Sequence, residues 1–306
     1  AHIEGFHIVE SIKIWKLYTT DAYEMDSHYR HFHIHFSNTL KNPNSLLEDI
    51  LKKCADVVER LYREWFLKQL TLTWTKAIAS DMENLGYVSD IKEQRKFYNN
   101  YVLPNVSKGN RVYVIISDGL RYEVAAELCE SLDRNTRGKA TLESVQAMFP
   151  GITKFGMAAL LPGEKISVNE NINVFVDGDP TSSTAQRGAI LNKTDSQSAV
   201  ITYKELIQMK KQERRDLVAG KEIIYIYHNE IDATGDKAAS ESKVFEACNT
   251  AIDELTVLVK IIVNDLSGVN IFITADHGFL YTYKPLEESQ KISRQTFSGE
   301  VYDLGR

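Results

Sequence analysis

Four short stretches of this sequence carry side chains that could bind a metal or attack a substrate. They are Asp118, Thr153, Asp232 with Asp236, and Asp276 with His277. Three of the stretches follow apolar runs, at residues 112–116, 222–227 and 269–274. Thr153 follows the turn Pro150-Gly151-Ile152 and opens a segment with helical spacing. Open α/β sheets bind ligands at the carboxyl ends of their strands, so we expect these side chains to meet at one edge of a sheet.

The residue types suit metal-assisted chemistry, although a simpler use exists for each. Aspartate oxygens and an imidazole nitrogen are ligands for a divalent metal. A threonine hydroxyl can act as a nucleophile when a metal or a base lowers its pKa. Alternatively, Asp118, Thr153 and Asp236 could cap the helices that follow them, with Asp232 as a turn residue.

From residue 111 onward, apolar strand-like runs alternate with helical patterns. Strands are predicted at 112–117, 141–148, 173–176, 198–203, 222–227 and 269–274, and helices at 155–161, 184–192 and 237–265. Gly235 favours a loop around Asp232 and Asp236. Buried strands that alternate with helices are typical of a parallel sheet covered on both faces. We therefore predict a three-layer α/β/α fold with a mostly parallel central sheet.

Residues 1–107 are predicted to form an all-helical region that precedes the α/β domain at 108–306, with the boundary near Pro104 and Gly109. After Pro43 the apolar residues follow helical spacing up to Ile78. This pattern predicts one unusually long helix, or two with a break near residues 71–75. Its apolar stripe comprises Leu47, Ile50, Leu51, Cys54, Val57, Val58, Leu61, Trp65 and Leu70.

The segment 28–35 contains four histidines, and His31 and His35 have the spacing of a helical metal pair. No acidic or cysteine ligand accompanies them at motif spacing. We therefore interpret them as the polar side of a helix whose aromatic residues face the core.

Composition narrows the function classes. The 306 residues are 43% hydrophobic and 25% charged, as in ordinary globular proteins. No apolar run approaches the roughly 20 residues of a membrane span, and no signal peptide is evident, so a cytoplasmic protein without membrane contact is expected. The net charge of −6 argues against coating nucleic acid through bulk charge.

The order and spacing of these motifs resemble those of the PglZ branch of the alkaline phosphatase superfamily, as found in BREX phage-exclusion systems. The resemblance is carried by residues 115–123, 150–153, 227–236 and 275–279, and it extends to the helical segment around Trp65-Phe66-Leu67. It implies an alkaline phosphatase-like fold and a metal-dependent phosphohydrolase that acts on phosphomonoesters or phosphodiesters. It also implies other phage-defence proteins or nucleic acid as partners.

The resemblance also implies roles for single residues. Asp118, Asp276 and His277 would bind one metal beside Thr153, the nucleophile, while Asp232 and Asp236 would help to hold a second. Zinc is favoured by His277, and manganese or magnesium by the aspartates. We infer in addition that Arg121 or Lys154 clamps the phosphoryl oxygens.

Two departures from the superfamily pattern are visible. The second metal usually has an Asp-x-x-x-His ligand pair, where this chain has Asp232 and Asp236. A further histidine is usually expected after the Asp-His-Gly motif, and none follows His277. We therefore expect the α/β domain to be incomplete at its C-terminal end, with a weak or absent second metal.

Two other functions stay open at this point. The chain could be a catalytically weak scaffold that binds defence-complex partners or DNA. A nucleotide-binding α/β domain without hydrolysis is less well supported, because no Gly-x-Gly-x-x-Gly or phosphate-loop lysine motif is present.

Overall fold

The computed structural model describes residues 6–41, 45–235 and 243–284. Its α-helices are α1 (Ser11–Leu17), α2 (Tyr23–Leu40), α3 (Ser45–Glu59), α4 (Lys68–Asn84), α5 (Leu103–Val106), α6 (Tyr122–Asn135), α7 (Thr153–Ala159), α8 (Thr184–Thr194), α9 (Tyr203–Gln208), α10 (Lys211–Val218), α11 (Ile231–Gly235) and α12 (Val244–Leu266). The strands are β1 (Val112–Ser117), β2 (Ile166–Val168), β3 (Val174–Val176), β4 (Asp179–Pro180), β5 (Ser198–Thr202), β6 (Ile223–His228) and β7 (Asn270–Thr274). None of the helices in the described part of the chain is long and apolar enough to span a membrane.

The N-terminal region is helical, as predicted. A π-helical segment, Arg60–Leu67, joins α3 to α4, so that one helical run extends from Ser45 to Asn84. The alternative of a single long helix is therefore correct, and the chain does not break near residues 71–75. A second π-helical segment, Tyr18–Ala22, joins α1 to α2 in the same way.

The face that this long helix buries overlaps only in part with the predicted stripe, of which Val58, Trp65 and Leu70 pack against the core. The residues it buries are Ala55, Glu59, Tyr62 and Phe66. Four members of the predicted stripe have relative exposures of 46 to 54%, namely Leu47, Ile50, Val57 and Leu61. The reason is that the contact with α2 is made by polar and aromatic side chains, which an apolar pattern does not identify. The ring of Tyr62 stacks on Tyr29 with centroids 3.7 Å apart.

One histidine of α2 departs from the interpretation of this segment as a polar side, whereas His28 and His35 are exposed as expected. His33 is only 1% exposed, lies 3.0 Å from the carboxylate of Glu59 and stacks on the ring of Tyr283. His31 lies 3.1 Å from Glu127. The metal-capable group of three or more residues found in the described ranges lies elsewhere.

The central sheet has the strand order β5-β6-β1-β7, and every neighbouring pair is parallel. Ser117 at the end of β1 aligns with His228 at the end of β6, and Ile116 aligns with Thr274 at the end of β7. The residues that follow these three strands therefore emerge at one edge of the sheet.

Helices cover both faces of the sheet, which explains the continuous apolar runs of its strands. On β1, Tyr113 and Ile115 pack into a core with residues of α6 and α12. Val112, Val114 and Ile116 face the other way, into a core with residues of α7 and α8. The predicted α/β fold with a mostly parallel sheet and a helical N-terminal region is confirmed.

Two local predictions were wrong, and the strand predicted at 173–176, which is present, pairs outside the central sheet. Residues 141–148 form no strand apart from one isolated bridge between Gln146 and Glu93. The strand at 174–176 belongs to a separate antiparallel sheet of β2, β3 and β4. Asp232 lies in the short helix α11 rather than in a loop, despite Gly235 at the end of that helix.

The segment before β1 packs with the α/β core. Phe97, Tyr98 and Val102 are buried in the same core as Val112 and Val114 of β1. The predicted boundary at residue 107 therefore separates residues that share one core.

Candidate metal and nucleophile site

Asp118 lies directly after β1 and is not a helix cap. Its main-chain N–H donates to the carbonyl of His228, 2.9 Å away on the neighbouring strand end. Helix α6 begins at Tyr122 with Arg121 at its N-cap position. The carboxylate of Asp118 is 95% buried and lies 3.4 Å from Nε2 of His277.

Thr153 is also not the cap of its helix. Ile152 occupies the N-cap position of α7, and no side chain accepts a capping hydrogen bond there. Oγ1 of Thr153 instead lies 3.1 Å from Nε2 of His277. The hydroxyl is thus turned toward the end of β7 rather than used by its own helix.

Asp276 and His277 follow β7 and belong to the same group of side chains as Asp118 and Thr153. Asp276 is fully buried, and its Oδ1 accepts the N–H of Gly119 at 3.1 Å. Its Oδ2 lies 3.6 Å from Nε2 of His277. One imidazole nitrogen therefore has Thr153, Asp118 and Asp276 as neighbours within 3.6 Å.

Asp232 approaches the same group from α11. One potential ligand atom each from Asp118, Asp232 and His277 lie within 4.8 Å of one another. Asp236, the other residue predicted for a second metal, lies outside the described residues. The structure thus brings together Asp118, Thr153, Asp232, Asp276 and His277.

The donor set fits a divalent cation. Oδ2 of Asp276 is buried and accepts no hydrogen bond from any residue that the structure describes. A buried carboxylate is costly unless a cation or hydrogen bonds compensate its charge, and a second buried carboxylate, Asp118, lies beside the same imidazole. Three carboxylates and one imidazole are ligands that zinc, manganese or magnesium accept.

Arg121, the predicted phosphoryl clamp, is engaged by the helical region. Its guanidinium is 6% exposed, lies 3.2 Å from Asp26 of α2, and faces the ring of Phe279 at 5.3 Å. Burial would lower the pKa of Arg121, but the charges of Asp26 and Glu123 outweigh it and raise the pKa above its ordinary value. These contacts offer no support for the clamp, which stays a prediction. Lys154, the alternative clamp, is exposed.

A buried polar chain behind the site was not predicted from the sequence. Oγ of Ser117 lies 2.9 Å from Nδ1 of His228, whose Nε2 lies 2.8 Å from Glu254 of α12. Ser117 and His228 are both at most 1% exposed, so Ser117 is not accessible as a nucleophile. We interpret these hydrogen bonds as structural support. They tie the ends of β1 and β6 together, and Asp118 follows one of these ends while Asp232 follows the other.

Gln94 is a second residue that the sequence analysis missed. Its side-chain amide contacts both the loop before Thr153 and the loop that carries Asp276. No motif surrounds it, and it lies about 180 residues from one of its partners. Gln146, which forms the isolated bridge with Glu93, was predicted to lie in a strand at 141–148, but no signal in the sequence indicated that it pairs with the segment of Gln94.

A family model and two curated relatives match this chain. The family model described as "BREX system PglZ alkaline phosphatase-like domain" matches residues 97–302. The chain belongs to the PglZ family. It is 36% identical over 97% of its length to the alkaline phosphatase-like protein PglZ of Bacillus cereus (strain H3081.97). It is 38% identical over 96% of its length to the alkaline phosphatase-like protein BrxZ of Escherichia coli O9:H4 (strain HS).

The comparison also shows how much of its relatives' length this chain covers. The chain spans about a third of the length of these curated relatives, 34% in each case. The matched region begins at Phe97, the residue at which the buried core before β1 begins. Every residue that the structure brings together at the strand ends lies inside the matched PglZ region.

Proposed function

We propose that this PglZ domain is a metal-dependent phosphohydrolase of a phage-defence protein, with Thr153 as its nucleophile. The observation that carries the proposal is the 3.1 Å contact of the Thr153 hydroxyl with His277, in a group that also contains Asp118 and Asp276. A nucleophile beside a set of metal ligands is what in-line attack on a phosphoester requires.

The residues divide into two roles. Asp118, Asp276 and His277 would hold a metal next to Thr153, and Asp232 would hold the same ion or a neighbouring one, for which Asp236 is proposed from the sequence alone. A bound divalent ion lowers the pKa of a hydroxyl and neutralises phosphoryl oxygens. The hydroxyl of Thr153 would lose its proton to solvent and its Oγ1 would attack phosphorus, while the ester oxygen leaves with the electron pair of the broken P–O bond. Water would then hydrolyse the phosphothreonine to release phosphate and restore the hydroxyl.

Zinc is the metal that we propose first. His277 supplies a nitrogen ligand, which zinc favours, while manganese and magnesium are compatible with the aspartates. The substrates proposed are phosphomonoesters or phosphodiesters, and other defence components or nucleic acid are the proposed partners. Arg121 is not assigned a role in the attack.

The test compares Thr153→Ala with the unmodified chain, using an aryl phosphate and a bis-aryl phosphodiester with zinc or manganese. We expect turnover to fall on the order of 10³-fold or more, because the nucleophile is absent. Metal affinity, measured by calorimetric titration, is expected to fall much less, because the three carboxylates and His277 remain.

Thr153→Ser provides the matched control, since serine retains the hydroxyl and removes only a methyl group. It is expected to keep measurable turnover. Unchanged turnover in Thr153→Ala would show that Thr153 is not the nucleophile.

A second function is favoured by one surface feature. Leu47, Ile50 and Val57 of α3 and Leu61 of the following π-helical segment are about half exposed, and an exposed apolar patch is a feature of protein-binding surfaces. A scaffold that uses this face would bind defence-complex proteins yet hydrolyse neither substrate when loaded with metal. If the unmodified chain hydrolyses a substrate and Thr153→Ala does not, the result supports the phosphohydrolase over the scaffold.

A further inference from the structure

We propose that Gln94 is a positioning residue that holds the Thr153 loop and the Asp276-His277 loop at bonding distance from each other. The inference rests on the proposed function, since it concerns the geometry of the same site. It adds a residue outside the strand-end motifs and upstream of the matched region, which begins at Phe97.

The amide of Gln94 uses both of its polar atoms on these two loops. Its Nε2 donates to the carbonyl oxygens of Ala275 at 2.8 Å and of Asp276 at 2.6 Å. Its Oε1 accepts the main-chain N–H of Met148 at 2.9 Å. A glutamine amide has two N–H donors and one carbonyl acceptor, so a single side chain satisfies three main-chain groups.

Gln94 is itself tied by main-chain hydrogen bonds to the stretch that leads to Met148. It is 2% exposed, and its main-chain N–H donates to the carbonyl of Gln146 at 3.0 Å. Gln146 in turn donates its N–H to the carbonyl of Lys92 at 2.8 Å. Three residues later the chain enters the core through Phe97. The amide therefore belongs to a segment, residues 92–97, that is part of neither loop and is anchored in the core at Phe97.

The two loops carry different parts of the proposed chemistry. Asp276 and His277 are proposed ligands of the metal, and Met148 lies five residues before Thr153. A displacement of about 1 Å between reacting groups can cost about 10²-fold in rate. Outer residues that orient metal ligands typically change metal affinity by about 10- to 100-fold when they are replaced. Loss of the Gln94 amide should therefore affect turnover and metal binding together.

The chemistry of the contact favours a neutral amide. A glutamate at position 94 would lose both donors and place a negative charge against two carbonyl oxygens. An asparagine is one methylene shorter, so it could contact only one of the two loops. Gln94 thus combines the length and the hydrogen-bonding groups that the two loops require.

The experiment compares Gln94→Met with Gln146→Met in the chain described here. Gln146 is a matched control because its amide also makes three main-chain hydrogen bonds, accepting from Val88 N at 2.8 Å and donating to Val88 O at 2.7 Å and Ile91 O at 2.8 Å. None of these bonds reaches the loop of Asp276. Thermal unfolding is recorded first, and kinetics and zinc titrations follow at a temperature where each variant is folded.

Both variants are expected to lose stability, but only Gln94→Met should lose function. We expect kcat to fall about 10²-fold with KM within about threefold, and zinc affinity to fall about 10-fold. Gln146→Met should keep both values within about threefold of the unmodified chain. If Gln94→Met does not fold, Gln94→Asn replaces it, with the same direction of change expected.

Each outcome identifies which idea fails. Gln94 variants with unchanged kcat and zinc affinity would overturn the positioning role while the proposed function stands. Equal losses of kcat in Gln146→Met would also overturn it, because the effect would then be a general loss of packing. An unmodified chain that neither binds zinc nor hydrolyses either substrate would overturn the proposed function, and this inference with it.

Discussion

Gly156 lies in α7, three residues after Thr153, directly against the main chain of Asp276. A methyl group built onto Gly156 would lie 2.1 Å from the carbonyl oxygen of Asp276 and 2.5 Å from its carbonyl carbon. No side-chain movement could relieve that overlap, because both atoms belong to the backbone. Helix α7 can therefore carry Thr153 to His277 only because position 156 has no side chain.

Gly156→Ala is expected to separate the nucleophile from its metal ligands. We expect a loss of about 1–3 kcal/mol in the free energy of unfolding from overpacking, and a fall in turnover of about 10²-fold. Denaturant unfolding and phosphoesterase kinetics check the two values.

Gly188→Ala is the matched control, since Gly188 also lies inside a helix, α8. A methyl group there would meet only the side chain of Val200 at 3.3 Å, which can move slightly. Wild-type kinetics are expected. Gly156→Ala with wild-type kinetics would contradict the close approach described above.

At the scale of single residues, the sequence identified the side chains that follow β1, β6 and β7 but not those that hold them. Asp118 and Asp276 were predictable because buried strands end just before them. Gln94 and Gly156 were not, because their roles depend on contacts with Asp276, more than 100 residues away, and no local pattern encodes such a contact.

At the scale of elements, the pairing of α2 with the helical run from α3 explains why the apolar stripe misled the sequence analysis. The hydroxyl of Tyr29 donates to Glu59 at 2.5 Å, and His33 lies 3.0 Å from the same carboxylate. The contact between the two helices thus contains a buried carboxylate, Glu59, that contacts the side chains of Tyr29 and His33. A hydrophobic pattern predicts burial from apolar residues alone, so it assigned the buried face to Leu47 and Val57 instead.

This buried acid should make the stability of the helical region depend on pH. Burial by itself would raise the pKa of Glu59, but hydrogen bonds with His33 and Tyr29 outweigh it and lower the pKa below its ordinary value of 4.5. A carboxylate with a lowered folded-state pKa stabilises the fold above its unfolded pKa. That stabilisation is lost as the pH falls through the lower, folded-state pKa.

Glu59→Gln is therefore expected to cost about 1–3 kcal/mol at pH 7 and progressively less below pH 4.5. Urea unfolding at pH 7, 4.5 and 3.5 measures the difference from the unmodified chain. Glu64→Gln on the same helical run is the control, because Glu64 is exposed. A cost for Glu59→Gln that stays constant from pH 7 to 3.5 would contradict the assignment.

At the scale of the whole molecule, paired charges join the helical region to the PglZ core. Asp26 of α2 contacts Arg121, which precedes α6. One helical turn later, Arg30 of α2 contacts Glu123 of α6 with an N–O distance of 3.0 Å, and both side chains are fully buried. Because Arg121 lies at the edge that bears the site, this network connects the packing of α2 with the loop that follows Asp118.

A buried charge that loses its partner is strongly destabilising, typically by about 3–5 kcal/mol, because the remaining ion stays desolvated. Arg30→Met should have this effect, since Glu123 would remain fully buried and keep only the longer contact with Arg121, at 3.8 Å. Arg134→Met on α6 removes an ion pair with Glu130 whose side chains are 67% and 69% exposed, and it should cost less than about 0.5 kcal/mol. Urea unfolding followed by far-ultraviolet circular dichroism gives both free energies. Equal costs for the two variants would mean that the helical region and the PglZ core are not held together by the buried pair.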